Sequence, residues 1–187
     1  MTPLYIFDLD GTLALIEHRR PLVTLMTGSP VTVNGEQATF HAYIKGEDRH
    51  YFIDYIQRGI WSRLKDEVKF TPNWQAFYAA CSADLPNLPV TATLHFLRKF
   101  ADIWVWSGRS DEVRDETVMW LKKNGIRHDA LKMRQAGDFT PDEVLKQKWL
   151  GEMSLEDRQR LVAVFDDRAK VVQMWRNAGV ACFQVAP

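Results

Sequence analysis

Apolar residues along this chain gather in short runs that stop abruptly at polar ones. Leu4-Tyr5-Ile6-Phe7 breaks into Asp8-Leu9-Asp10-Gly11-Thr12. Ile103-Trp104-Val105-Trp106 breaks into Ser107-Gly108-Arg109, and Leu161-Val162-Ala163-Val164-Phe165 into Asp166-Asp167. Short runs rich in β-branched and aromatic residues predict buried strands. Residues 130–133 make a weaker strand and 180–185 a short final one. Between them the spacing turns helical. Ser110 can cap a helix whose first turn holds Asp111 and Glu112. That helix ends in Lys122, Lys123, Asn124 and Gly125, the charge order that helix termini favour. Pro141, Asp142 and Glu143 open another, running through Lys146 to Trp149. Val171, Val172, Trp175 and Ala178 form the buried stripe of a third, stopped by Gly179. Residues 73–81 and 90–100 also read as helices. Strands alternating with helices predict an α/β fold: a doubly wound, mainly parallel, Rossmann-like sheet.

Residues 21–70 break this rhythm. Val31-Thr32-Val33 and Gln37-Ala38-Thr39-Phe40 flank Asn34-Gly35, a strong β-hairpin signal. The aromatic-rich stretch 51–64 fits helix or strand equally. The expected organisation is a core of 1–20 and 71–187, with 21–70 as a cap inserted after the first strand and overhanging the carboxyl edge of the sheet. The plain alternative is an embellishment with no part in binding substrate.

Composition narrows the classes. The chain has 187 residues, 46% hydrophobic and 26% charged, which suits one soluble domain with a modest insertion. Its formal net charge is zero. That argues against a broad electrostatic grip on nucleic acid and leaves room for a local basic cleft. The two cysteines are far apart and in no metal-ligand spacing, so a reduced, cytoplasmic setting is expected. The first strand begins almost at once, which leaves no room for a signal peptide. No apolar run is long enough to cross a bilayer, so no membrane partner is expected.

The chemistry lies where the strands end. In a parallel sheet the carboxyl ends share one edge, where open α/β folds bind ligands. There Asp8 could attack phosphorus and Asp10 could shuttle the proton. A calcium loop or a plain polar turn are the alternatives. A calcium loop needs further oxygen ligands and a late Glu, whereas Leu13, Ala14, Leu15 and Ile16 follow. Asp8, Asp10, Asp166 and Asp167 would repel one another and an anionic substrate. A divalent cation resolves this, and all-oxygen ligation suits Mg²⁺. Ser107 can donate its hydroxyl to a phosphate oxygen, Gly108 allows close backbone approach, and Arg109 adds a cationic fork. Ser-Gly-Arg alone is usually just a turn; its place after an apolar run gives it the functional reading.

These motifs together resemble the haloacid dehalogenase-type phosphatases. Phe7-Asp8-Leu9-Asp10-Gly11-Thr12-Leu13 resembles the first motif of that superfamily, and Ser107, Lys146 and Asp166-Asp167 match the other three in order. The resemblance is closer to the 3′-phosphatase domain of phage polynucleotide kinase, through the Ser-Gly-Arg, the Gly-Asp before an acidic pair and Lys, and the ending from Phe165 to Val185. It covers about 1–20 and 71–187. It implies that Asp8 is a nucleophile forming an aspartyl-phosphate and that Asp10 is the general acid and base. Mg²⁺ would be held by Asp8, the Asp10 carbonyl, Asp166 and Asp167. Lys146 and Ser107 would neutralise the transferring phosphoryl group. Thr12, Gly108, Asp142, Arg19 and Arg109 complete the implied substrate site. Asp142, four residues before Lys146, shares its helical face.

Plainer roles exist for several of these residues. Asp142 could be a helix first-turn acid, Arg19 part of a solvated His18-Arg19-Arg20 cluster, and Lys148 a rival for Lys146. Trp104, Trp106, Trp149 and Trp175 read as core, leaving Trp61 and Trp74 as cleft candidates. The expected activity is a Mg²⁺-dependent phosphomonoesterase removing a terminal, most simply 3′, phosphate from a polynucleotide. A phosphatase for nucleotides or other small molecules and, from another class, a non-catalytic binding module are the alternatives. No Gly-rich phosphate loop of the Walker type is present, so a kinase or ligase would be a separate partner. Nothing in the pattern fixes an oligomeric state.

Overall fold

Strand β1 (Leu4–Phe7) buries Leu4, Ile6 and Phe7 almost completely. A strand buried on both faces belongs inside a parallel sheet, and β1 lies at the centre of one. The structure, a computed structural model, describes residues 1–33, 35–45, 48–55, 61–63 and 68–185, with the backbone alone at 42–45, 48–53, 55, 61–63 and 68. After β1 and the two-residue β2 (Ala14–Leu15) come β3 (Ser29–Val33), β4 (Glu36–Lys45), β5 (Asp48–Tyr55), β6 (Trp61–Arg63) and β7 (Val68–Lys69). Then follow α1 (Trp74–Ala79), β8 (Leu85–Pro86), α2 (Leu88–Leu97), β9 (Asp102–Ser110), α3 (Arg114–Lys123) and β10 (Ala130–Arg134). The chain closes with α4 (Asp142–Glu152), α5 (Leu155–Arg160), β11 (Leu161–Asp166), α6 (Ala169–Asn177) and β12 (Cys182–Gln184). Two compact units result: 1–16 with 81–187, and 17–80.

The first unit is built on a five-stranded sheet in the order β10-β9-β1-β11-β12, every pair parallel. This is the doubly wound α/β arrangement that the alternation predicts. Ile6, Trp106 and Val164 pack with Leu145, Trp149 and Leu150 of α4 and with Val171, Val172, Met174 and Trp175 of α6. The tryptophans 106, 149 and 175 are therefore core, and Trp104 packs half-buried against them. The register places Phe7 opposite both Phe165 and Val105, so Asp8 lies level with Asp166, and Ser107 one step beyond. Cys81 and Cys182 are buried free thiols. Among the described residues no helix is long and apolar enough to cross a membrane.

The second unit holds an antiparallel sheet in the order β6-β5-β4-β3-β7. Val33 pairs with Glu36, which leaves the two-residue turn that the hairpin signal requires; Gly35 has φ +85°, as such turns demand, and Asn34 lies outside the described residues. The ambiguous 51–64 stretch is strand at 51–55 and 61–63, and the rest of it lies outside the described residues.

Three details depart from the sequence pattern. Ser107-Gly108-Arg109 does not turn away but continues β9, with a bulge where Met133 pairs with Ser107 and Arg134 with Ser110. A bulge of this kind re-aims side chains beside a site. Ser110 caps a short 3₁₀ turn over Asp111–Val113, so α3 proper begins only at Arg114. α5, capped by the Ser154 hydroxyl on the Asp157 N–H, was hidden because it buries none of its residues.

Candidate active site

The chain leaves β1 through a loop that winds on itself. The N–H groups of Leu13 and Ala14 donate to the Leu9 carbonyl at 3.0 and 2.8 Å, and the Gly11 N–H to the Ala14 carbonyl at 2.8 Å. Asp8 is anchored by its N–H to the Phe165 carbonyl at 2.9 Å. Gly11 has φ +90°, and a Cβ there would stand 2.2 Å from Asp167 Oδ2. Only glycine gives both the left-handed turn and the room for Asp167 to approach. Gly108, in extended strand, gives room only: a Cβ there would fall 2.2 Å from Asp142 Oδ1.

Lys146 stands at the centre of the charged groups. Its ammonium donates to Asp8 Oδ1 at 2.6 Å and Asp166 Oδ2 at 2.7 Å, and lies 3.5 Å from Asp142 Oδ2. The lysine and all three acids are buried. The i, i+4 spacing on α4 thus brings Asp142 to Lys146, and Lys146, not Lys148, carries the contact. Charge is unbalanced here: Asp142 also has Arg134 at 3.2 Å and Arg168 at 3.5 Å, whereas Asp8 and Asp166 share the one ammonium, with Asp167 beside them. The acids hold the Lys146 proton well above its ordinary range, against the pull of burial. Burial pushes the Asp8 carboxyl well above the ordinary carboxylate range, opposed by Lys146 and reinforced by Asp166, Asp167 and Asp142. Asp8, Asp166 and Asp167 each bring one carboxylate oxygen within 4.8 Å of the others. An all-oxygen cluster of this kind, with Asp8 and Asp166 buried and Asp167 half-buried, suits a hard divalent cation.

A second network holds Asp10. The Arg109 guanidinium is wholly buried and clamps Asp10 through Nη2 and Nε, the latter at 3.1 Å. It also donates to Asp84 Oδ2 at 2.9 Å and to the Thr117 hydroxyl at 3.1 Å. The sequence pattern offers Arg109 to the substrate phosphate; in the structure its fork is occupied by Asp10 and Asp84, which makes it a positioning group for Asp10. Arg19 lies in the other unit, fully buried, with its guanidinium carbon 4.1 Å over the Phe77 ring and Nη1 donating to the Phe77 carbonyl at 3.3 Å. Its guanidinium is buried, so it is not a solvated charge. Of the two cleft candidates, Trp74 is half-exposed beside Phe77 and Tyr78 in that same unit, and the side chain of Trp61 lies outside the described residues.

Ser107 is buried, and its hydroxyl accepts the Arg109 N–H at 3.2 Å. A hydroxyl also donates, so its hydrogen remains for a ligand oxygen. The buried Thr12 hydroxyl has no hydrogen-bond partner among the described residues, the condition of a group that awaits one.

The sequence pattern passes over two functional neighbours. Arg134, at the carboxyl end of β10, donates to the Gly108 carbonyl at 2.8 Å and to Asp142 Oδ1 at 3.2 Å, tying the bulge to α4. Its signal was its place at a parallel strand's end, one residue past the apolar run. Asp84 lies in an irregular segment, and nothing local marks it.

Residues 74–187 match the family model of the polynucleotide kinase PNKP phosphatase domain. The chain belongs to that family. It is a phosphatase domain of the haloacid dehalogenase type. A protein of Autographa californica nuclear polyhedrosis virus described as a bifunctional polynucleotide kinase/RNA ligase is 28% identical over 147 residues, 74% of this chain and 21% of its own length. A chain from the Pnkp1/Rnl/Hen1 RNA repair complex superposes with a TM-score of 0.62 at 24% identity, over 99% of this chain and 43% of that one. CbbY from Rhodobacter sphaeroides, in complex with phosphate, shares the fold at a TM-score of 0.52 and 16% identity, over 100% of this chain and 87% of its own. The chain thus spans about a fifth of the viral relative and under half of the repair-complex protein.

Proposed function

We propose that this PNKP-type phosphatase domain is a Mg²⁺-dependent phosphomonoesterase that works through an aspartyl-phosphate and removes a terminal 3′ phosphate from a polynucleotide. The observation that carries the reading is Asp8: a buried carboxylate at the end of the central strand, fixed by its own N–H and by Lys146. The steps follow from that placement. An Asp8 oxygen attacks phosphorus while the bond to the leaving oxygen breaks, and Asp10 delivers a proton to that oxygen. Water then attacks the aspartyl-phosphate, Asp10 takes its proton, and phosphate departs with Asp8 restored. Lys146 and the Ser107 hydroxyl neutralise the phosphoryl oxygens, where the transition state gathers charge. Arg109 keeps Asp10 aimed, and Asp142 with Arg134 keeps Lys146 and the Gly108 bulge in place. Asp8, Asp166 and Asp167, with the Asp10 carbonyl, would hold Mg²⁺. The ion supplies charge neutralisation that one ammonium among several carboxylates does not complete.

The polynucleotide end as substrate rests on the family and on relatives whose names pair this fold with a kinase and ligase. This chain would act beside such partners, with 17–80 serving as its cap. A nucleotide phosphatase is the second reading, favoured by the zero net charge. Phosphate release from 3′-phosphorylated oligonucleotide, 5′-phosphorylated oligonucleotide and mononucleotides, side by side with Mg²⁺, tests it. Preference for the 3′-phosphorylated strand is expected. Equal or better release from mononucleotides would overturn the polynucleotide reading.

A further inference from the structure

Phe139 is 89% exposed, more than any other large apolar side chain among the described residues. Single exposed apolar groups are common on surfaces. This one stands on a loop braced to stay open. The loop 135–141 joins β10 to α4, at the same carboxyl edge as Asp8 and Ser107, and Phe139 precedes Asp142 by three residues. Arg134 Nη1 donates to the carbonyls on both sides of the phenylalanine, Asp138 at 3.3 Å and Thr140 at 2.5 Å. Asp138 Oδ1 accepts the Thr140 N–H at 2.8 Å, closing a tight turn around it. Asp111 Oδ1 accepts the Ala136 N–H at 2.8 Å and ties the loop to the start of the α3 segment. Gly137, at φ +76°, supplies the left-handed turn. Four hydrogen bonds therefore fix the backbone around a ring that buries almost nothing, although covering a phenylalanine would stabilise the protein.

The brace is also part of the active site. The guanidinium that holds the loop is the one that holds Gly108 and Asp142, and Asp142 lies against Lys146. The backbone that carries the ring is thus tied to the elements that hold the phosphoryl-binding groups. An apolar aromatic group on a braced loop at the edge of a phosphate site suits a ligand with a phosphate and a π-face a short distance apart. A nucleotide at a strand end has that shape. Bases splayed from single strands stack on aromatic side chains, and a braced backbone leaves only the phenylalanine side-chain rotations to be ordered on binding.

We infer that Phe139 is a specificity-determining residue: a stacking platform for the nucleobase next to the phosphate that this domain removes. The inference rests on the polynucleotide reading above and sharpens it, since it requires a base at the end and little identity in that base.

The test compares two 3′-phosphorylated oligonucleotides, one ending in adenine and one in an abasic residue, with methyl phosphate as a third substrate. Stacking predicts that wild type favours the base-bearing end by about 5- to 100-fold in kcat/KM. Phe139→Ala should bring that ratio to within about twofold of one, and Phe139→Trp should restore it. A ratio unchanged in Phe139→Ala, or a wild-type ratio near one, would overturn the platform while leaving the polynucleotide reading intact. If wild type hydrolyses methyl phosphate but neither oligonucleotide, the polynucleotide reading fails and the platform falls with it. Equal losses on both oligonucleotides in Phe139→Ala would mark the side chain as a structural part of the loop and sink the inference.

Discussion

The two units of this chain treat charge differently. In the unit of 1–16 and 81–187, parallel strands end together, and their polar residues fold into networks around Lys146 and Arg109. In 17–80 the strands are antiparallel, and among the described residues the buried cluster is apolar: Val31, Val33, Ala38 and Phe40, with Phe70 against them. The buried guanidinium of Arg19 in this unit lies on an aromatic ring. The lesson is topological. A parallel sheet delivers every strand's carboxyl end to one edge, so that edge accumulates functional groups, whereas an antiparallel hairpin sheet sends successive ends opposite ways. Chemistry should therefore fail when the first unit is altered and survive alteration of the second.

The largest effect should come from Asp8→Asn. An amide is no nucleophile, so steady-state phosphate release should fall to background while circular dichroism stays that of the wild type. Asp10→Asn should slow turnover by about 10²–10⁴-fold, the usual worth of general acid–base help. Turnover of Asp8→Asn near the wild-type rate would move the chemistry out of this cluster.

Chelation should rank next. EDTA should abolish phosphate release and Mg²⁺ restore it, with Ca²⁺ a poor substitute because of its longer, looser coordination. Asp166→Ala and Asp167→Ala should each demand more Mg²⁺ for half-maximal rate. Full activity after exhaustive chelation would remove the metal from the account.

Stability gives a smaller and signed effect. Lys146→Met takes the ammonium from the buried Asp8 and Asp166 carboxylates, while Asp142 keeps Arg134, and should destabilise the chelated protein by about 3–5 kcal/mol in urea unfolding. Asp8→Asn should do the reverse and raise the chelated protein's melting temperature. The sign follows from linkage. The folded Asp8 carboxyl sits above its unfolded value, so in that window the folded state binds more protons than the unfolded one, and its contribution to stability is lost as pH rises through the folded pKa. Asp8→Asn should flatten that decline between about pH 4 and the raised folded value. A steeper decline in the variant would contradict the charge count.

The mildest effect on chemistry should come from the second unit. Replacing residues 29–69 with a Gly/Ser linker should leave methyl phosphate hydrolysis within about tenfold of wild type, because the groups proposed for bond-breaking lie in the first unit and the cap role proposed for this segment bears on access and choice. The ratio of oligonucleotide to methyl phosphate turnover should change more. Loss of methyl phosphate hydrolysis in a folded variant would break the comparison between the units.

How far the sequence spoke follows the same division. Asp8, Ser107 and Asp166 were legible because each ends an apolar run, and Lys146 through the resemblance to the superfamily's motifs, supported by Asp142 one helical turn before it. Asp84 was not, because its partner Arg109 is 25 residues away and only the tertiary fold joins them. Arg109 and Arg19 show what the pattern leaves open about a cation. Which acid or ring a guanidinium meets is set in space, and neither Asp10 nor Phe77 announces that locally. In 17–80 the Asn34-Gly35 dipeptide marked its turn, since backbone handedness is a local property. The 51–64 stretch stayed ambiguous because its aromatic residues suit either period.

The central claim is that Asp8 carries the phosphoryl group. Acid quenching during turnover with a 3′-phosphorylated oligonucleotide and Mg²⁺, followed by peptide mapping, tests it most directly. A hydroxylamine-labile phosphoryl group on the peptide containing Asp8, present in wild type and in slowed Asp10→Asn but absent in Asp8→Asn, is the expected result. A phosphoryl group mapped to any other residue, or rapid turnover with none captured in either protein, would contradict the account.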